Sequence, residues 1–347
     1  MVDACSFISR LPKAELHVHI EGTMEPELVF KLAQKNNIEL PFTLEEAQSK
    51  RQHFEDLQDF LNQYYFACKV LVEEEDFYEL AMEYFKRAVS NNIVLAEVFF
   101  DPQAHTSRGV SFSTLMNGLH RAGKDAEQMG LKAKWVMCFL RDFSEEDALN
   151  TIEQAVPYAD KISGIGLDSA ELGNPPRKFT RVFAEASTKG LCGPEGKWKV
   201  AHAGEEGDAS NIIEAIHCLG VARIDHGIRC LSDPYLCRVL ADCKVPLTVC
   251  PNSNDRLQVL NRHFGGKQVI SELLEKGLCV TINSDDPAFF GGYINENFKT
   301  ALSSLELNEE ELRKTCVKLC RNSFEAAFLT EEERQSYIIA LETADKI

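Results

Sequence analysis

Leu16-His17-Val18-His19-Ile20-Glu21-Gly22 is the stretch from which the rest of the chain is read. It is a short apolar run with histidines on alternate residues. Side chains of a strand alternate faces, so residues i and i+2 point the same way. His17 and His19 therefore offer two imidazoles to one point in space, the beginning of a divalent metal site, with Zn²⁺ the commonest occupant. Two ligands are not a site. The remaining sequence has to supply further ligands, an acid or base, and a pocket.

The bulk properties narrow what that site serves. With 347 residues, 44% hydrophobic and 26% charged, the chain is long enough for one large α/β barrel, and we expect a single domain over residues 1–347. A net charge of −17 argues against nucleic acid or an anionic membrane as partner and disfavours a heavily phosphorylated substrate. The 12 cysteines lie singly with no C-x-x-C pair, which reads as free thiols in a reducing compartment. No apolar stretch is long enough to span a bilayer, and the N-terminus lacks the basic region and apolar core of a secretory signal. The expectation is a cytoplasmic protein. A nuclear fraction stays open, although no basic cluster argues for it.

Outward from His17, β-rich runs alternate with helical patterns. Candidate strands fall at 13–19, 93–100, 133–140, 162–168, 198–203, 223–227, 246–250 and 279–284. Several are nearly continuous apolar runs, as in parallel strands buried on both faces. Between the first two, Pro26 opens one helix, Phe54, Leu57, Leu61, Tyr64 and Cys68 mark another, and Phe77, Leu80, Tyr84 and Ala88 a third. Eight strands alternating with helices predict a closed (β/α)₈ barrel of TIM type, with a helical insertion after strand 1. An open doubly wound sheet is the rival, but no G-x-G-x-x-G follows the first strand. Gly193-Pro-Glu-Gly196 reads as a surface turn, and the tail from about Leu307 as the last helices.

Polar residues gather where a barrel keeps its chemistry, at the carboxyl ends of strands. Strand 1 ends in His17 and His19, strand 4 in Asp168-Ser-Ala-Glu171, and strand 5 carries His202-Ala-Gly204-Glu205. Strand 6 ends in Asp225-His226-Gly227, strand 7 in Cys250-Pro-Asn-Ser-Asn254, and strand 8 in Asn283-Ser-Asp285-Asp286. Each group alone has an ordinary explanation, such as a packed core histidine or a capped turn. Coincidence at one end of one barrel removes that explanation. His105, near the end of strand 2, is a candidate for the shell behind the ligands, while His53, His120 and His263 read as peripheral.

These residue types allow a definite chemistry. Three neutral imidazoles and a carboxylate (His17, His19, His202, Asp285) would bind one Zn²⁺ and bring a water's pKa toward about 7. Asp285 or His226 would take or steer the water's proton. Glu205 can project over the same pocket and, if protonated, donate to a ring nitrogen. Strand 4 has no lysine at its carboxyl end, which disfavours a second, lysine-bridged metal.

Taken in order, Glu15-Leu-His-Val-His-Ile-Glu-Gly22, His202-Ala-Gly-Glu205, Asp225-His-Gly227, Cys250-Pro-Asn-Ser-Asn254 and Ser284-Asp-Asp286 resemble the adenosine/adenine deaminase family of metal-dependent hydrolases. The likeness covers about residues 10–330. It implies a (β/α)₈ barrel with one zinc, held by His17, His19, His202 and Asp285. It further implies Glu205 as proton donor, His226 as the residue orienting the water, and Asp286 bonded to the purine at N7. Adenosine-specific members usually carry D-x-x-G-D at strand 4, whereas here Asp168-Ser-Ala-Glu171-Leu-Gly-Asn-Pro-Pro176 resembles the fungal and bacterial branch acting on free adenine. On that reading the partner is a small purine base, and Glu171 and Gly204 join Asp286 in holding it, with Glu171 crowding a ribose. Deamination of adenosine, or of an N6-substituted adenine, is the nearest alternative; a non-catalytic binding barrel is the remote one. The zinc site of cytidine deaminases is excluded, because its H-x-E with P-C-x-x-C pattern is absent.

Overall fold

The computed structural model describes residues 4–346, with side chains from Ser6 onward. Eight strands run parallel in chain order: β1 (Lys13–His19), β2 (Ile93–Phe100), β3 (Lys132–Leu140), β4 (Gly164–Asp168), β5 (Val200–Ala203), β6 (Arg223–His226), β7 (Pro246–Val249) and β8 (Cys279–Ile282). β1 to β4 pair in one sheet and β5 to β8 in another. Parallel bridges Ile165–Lys199 and Val18–Asp285 join the two and close the barrel. All eight predicted strands are present. The later ones end one or two residues short of expectation because the chain turns where the site begins: His226 and Asp285 take left-handed backbone angles, with φ of 59° and 65°.

Closure at the β1–β8 seam places the ligands. The Asp285 N–H donates to the His17 carbonyl and the His19 N–H to the Asp285 carbonyl, both at 3.0 Å. Asp285 is thereby fixed beside both histidines of β1, which lie 268 and 266 positions earlier in the chain.

The opposite end of the barrel is plugged. Phe328, just past the helix Glu309–Ala326, packs with Phe99, Val136, Cys138 and Val200 inside the barrel. Above it a fully buried Arg223 pairs with a fully buried Glu97 at 2.7 Å and donates to the Leu16 carbonyl at 3.1 Å. Such a pair adds little net stability, but removing one partner would strand the other charge. Access to the interior is therefore from the carboxyl ends of the strands.

The β1–β2 connection holds helices Pro26–Lys35, Leu44–Lys50, Leu57–Cys68 and Glu74–Ser90, as the insertion predicted. Asp56 caps the third by accepting from the Asp59 N–H at 2.9 Å. Its buried face (Leu57, Phe60, Leu61, Tyr64, Ala67, Cys68) follows helical spacing and turns toward the barrel mouth. Every described cysteine is a free thiol, and Cys5 lies outside the described side chains. No helix of the described residues is long and apolar enough to cross a membrane.

Candidate active site

Four buried imidazoles stand at the mouth of the barrel, and the groups behind each ring set which nitrogen faces inward. Thr248 Oγ1 donates to Asp225 Oδ1 at 2.8 Å, so it accepts from His17 Nδ1 at 2.9 Å. His17 Nε2 faces Asp285 Oδ1 at 3.0 Å. His202 Nδ1 lies 3.6 Å from Asp225 Oδ2, and His19 Nδ1 lies 3.5 Å from Asp168 Oδ2. The inward Nε2 atoms of His19 and His202 are 3.1 Å apart, and His19 Nε2 is 3.4 Å from Asp285 Oδ1. Histidines backed by carboxylates with their other nitrogens converging are the usual arrangement around a bound metal.

Electrostatics agree. Burial pushes His19 down to about 3 and His202 well below its ordinary value, so both rings are neutral. Burial opposes ionisation of Asp285, but contact with His17 outweighs it and holds that carboxyl well below the usual range. Imidazole nitrogens and a carboxylate oxygen gathered at one point make the donor set of a divalent cation, and the residues fit one.

His226 differs from the other three. His17, His202, His226 and Asp285 offer atoms that all lie within 4.8 Å of one another, so distance alone would admit His226 as a ligand. Its Nδ1, however, faces the Asn254 Nδ2 donor at 3.2 Å. The proton is thus placed on Nε2, which lies 3.6 Å from both Glu205 Oε1 and Asp285 Oδ2. A ring that presents N–H inward donates a hydrogen bond and leaves the ligand positions to its neighbours.

Glu205 and Asp286 supply the acids. Burial, then the nearby Asp285 charge, pushes each carboxyl well above its ordinary range and favours its protonated form. Asp286 Oδ1 has no hydrogen-bond partner among the described residues. Its approach requires Gly22: a Cβ there would fall 1.8 Å from that oxygen. With His19, His202 and Glu205, Asp286 lines one cavity at the barrel mouth. Leu57, Phe60, Tyr64 and Tyr65 of the insertion cover it, with Leu257 from the far rim.

Two expected substrate contacts are placed elsewhere. Glu171 is 2% exposed and points away from the cavity. Its carboxylate accepts four consecutive backbone N–H groups, from Gly204 (2.8 Å), Glu205 (3.1 Å), Glu206 (3.0 Å) and Gly207 (2.9 Å). Asn211 Nδ2 adds a fifth donor at 2.8 Å. Glu171 thus holds the loop bearing Glu205, and its lone pairs are not free for a base or a ribose. Gly204 is corrected for the same reason. Its N–H goes to Glu171, and its carbonyl accepts from the Arg229 N–H at 3.0 Å. With φ at +70° and Ile212 at 2.6 Å from a built Cβ, Gly204 is a glycine required by the turn.

His105 stands behind the pocket, bonded through Nε2 to Glu21 at 2.9 Å. Sequence reasoning passed over Arg141, which follows β3 and donates to the His202 carbonyl at 2.6 Å. It also took Phe60, Tyr64 and Tyr65 as insertion packing or left them unread, although two adjacent tyrosines on a helix near a barrel mouth were a signal.

Barrel, plug and donor set together define a metal-dependent hydrolase, with its chemistry at the strand ends. The chain belongs to the adenosine deaminase family, whose model matches residues 12–344. It is 51% identical over 332 residues to the adenine deaminase of Acinetobacter baylyi, covering 95% of this chain and 96% of that one. It is 51% identical over 337 residues to the adenine deaminase of Crocosphaera subtropica, covering 96% and 99%. The crystal structure of adenine deaminase from Arthrobacter aurescens superposes with a TM-score of 0.90 at 43% identity, covering 97% of this chain and all of that one.

Proposed function

We propose that this protein, acting as one deaminase domain over its full length, hydrolyses adenine to hypoxanthine and ammonia in purine salvage. The cation is zinc, one per chain, held by His17, His19, His202 and Asp285. When bound there, it supplies a water made nucleophilic near neutral pH. Asp285 and the His226 Nε2–H orient that water toward C6 of the base. Glu205, protonated by its burial, gives its proton to N1. Asp286, also protonated, donates to N7. Asp285, held as a carboxylate, takes the water's proton as oxygen bonds to C6 and passes it to the amine. The C6–N bond then breaks, ammonia departs, and the proton of the C6 hydroxyl restores Glu205 as the carbonyl forms. Leu57, Phe60 and Tyr64 keep bulk water from the reacting carbon.

The observation that carries this reading is the buried Glu205 carboxyl, Oε1 3.6 Å from His226 Nε2, at the edge of the converging histidines. That is a proton donor and a water site facing one cavity. The acidic mouth suits an uncharged base and opposes a nucleotide phosphate, and free thiols suit a cytoplasmic location. Ultraviolet absorbance of zinc-loaded protein with adenine, adenosine and N6-methyladenine, each alone, tests the proposal. Conversion of adenine with little action on the others supports it. Faster turnover of either alternative overturns the substrate, and inertness to all three overturns the chemistry.

A further inference from the structure

One buried acceptor at the cavity is unused by this mechanism. Asp101, the residue after β2, lines the cavity and is 2% exposed. One side of its carboxylate is fixed: the Tyr64 hydroxyl donates to Oδ2 at 3.0 Å. Its backbone N–H is fixed too, donating to Glu21 Oε1 at 3.2 Å, and Glu21 is held in turn by His105 at 2.9 Å. Arg108 Nη2 donates to the other ring nitrogen of His105 at 2.9 Å, so the chain of contacts is set from outside. Asp101 Oδ1 has no hydrogen-bond partner among the described residues. Beside it stands a second carboxyl, Asp168 at the end of β4, which shares a hydrogen bond with Asp101 and whose Oδ2 lies 3.5 Å from His19 Nδ1. Oxygens of the two groups lie within 4.8 Å of each other and of a His19 nitrogen.

Buried polar atoms are nearly always bonded, and a carboxylate oxygen held rigidly without a donor is a place for a donor brought by a ligand. β2 lies across the barrel from β6, so Asp101 faces Glu205 and His226 over the cavity. A purine with C6 and N1 at Glu205 turns its most distant ring nitrogen, N9, away from those groups and toward Asp101. In the free base that nitrogen carries a proton, whereas in a nucleoside it carries the sugar.

We propose that Asp101 Oδ1, with Asp168 beside it, accepts the imidazole N–H of an unsubstituted purine and so selects the free base over its N9-substituted forms. The inference rests on the purine-base reading of the cavity. A site built to bond an N–H rejects the analogue lacking it far more strongly than an apolar pocket would, because its own acceptor is left unpaired. Glu171, expected from sequence to make this distinction, is spent on the loop; the discrimination passes to Asp101.

The test is equilibrium binding, by calorimetry on the zinc-loaded protein, of two unreactive products, hypoxanthine and 9-methylhypoxanthine. The expected result is hypoxanthine binding about 10- to 100-fold tighter, the cost of leaving one buried acceptor unpaired. In Asp101→Asn, which keeps the shape, hypoxanthine weakens by about tenfold while the methylated base is unchanged. Equal binding of the two bases by the unaltered protein overturns the inference, and so does equal weakening of both in Asp101→Asn. If neither base binds the unaltered protein, the purine-base reading itself fails.

Discussion

The Nε2 atoms of His19 in β1 and His202 in β5 lie 3.1 Å apart, and burial keeps both rings neutral. Ligands about 2.0–2.1 Å from a tetrahedral zinc are about 3.3 Å from one another. The neighbouring contacts of 3.0 Å and 3.4 Å to Asp285 fall in the same range. The edges of a coordination shell are thus in place, while His226 turns an N–H toward it. His202→Ala is therefore expected to lose most of its bound zinc. His226→Gln is expected to keep one equivalent while kcat falls about 10²- to 10⁴-fold. Metal analysis beside steady-state kinetics separates the two roles; loss of zinc from both variants would make His226 a ligand.

In the proposed mechanism Glu205 acts in its protonated form. Burial raises its pKa, so the acid persists through neutrality and activity declines only as pH rises through that raised value. Glu205→Gln is expected to retain zinc, to lose about 10²- to 10⁴-fold in kcat and to lose that alkaline limb. A pH–rate profile of both proteins checks this.

Glu171 binds four successive amides of the β5 loop. Glu171→Gly should release the loop and misplace Glu205, lowering kcat for adenine by about 10²-fold, as displacements near 1 Å do. No gain with adenosine is expected, because the side chain does not face the cavity. Kinetics with both substrates decide; appearance of adenosine turnover would return Glu171 to the pocket.

Glu206, next to the acid, has its pKa raised to about 7 by burial and then by the Glu171 charge. A carboxyl raised in the fold favours the protonated state. Its ionisation therefore costs stability progressively as pH rises from the ordinary value near 4.5 to about 7, and in full above that. Glu206→Gln should match the parent in thermal stability near pH 4.5 and exceed it at pH 8 by about 1–2 kcal/mol, after discounting for partial exposure. Melting curves at the two pH values measure the difference.

The barrel was legible because its strands are apolar runs that stop at polar clusters. His17, His19 and His202 could be set on one inner face because strand alternation fixes where a side chain points. Beyond the last strand residue that rule lapses. Ser169 turns left-handed at φ 70° just after Asp168, and Glu171 leaves the cavity for the adjacent loop. Gly204 looked like a surface for substrate, but its polar groups are consumed by Glu171 and Arg229. Asp101 drew no reading of its own, since nothing in Asp101-Pro102 tells that one oxygen receives no donor. The Phe60–Tyr64–Tyr65 cover depends on how a helix docks, which helical spacing alone does not specify.

The central claim is that this cluster holds one metal ion and that the metal drives loss of ammonia from adenine. Titrating metal-free protein with Zn²⁺ while adenine absorbance is followed tests it most directly. The account predicts turnover that rises in proportion to added zinc and levels off at one equivalent per chain, with hypoxanthine and ammonia formed in equal amounts. Undiminished turnover by the metal-free protein, or none at full loading, would contradict it.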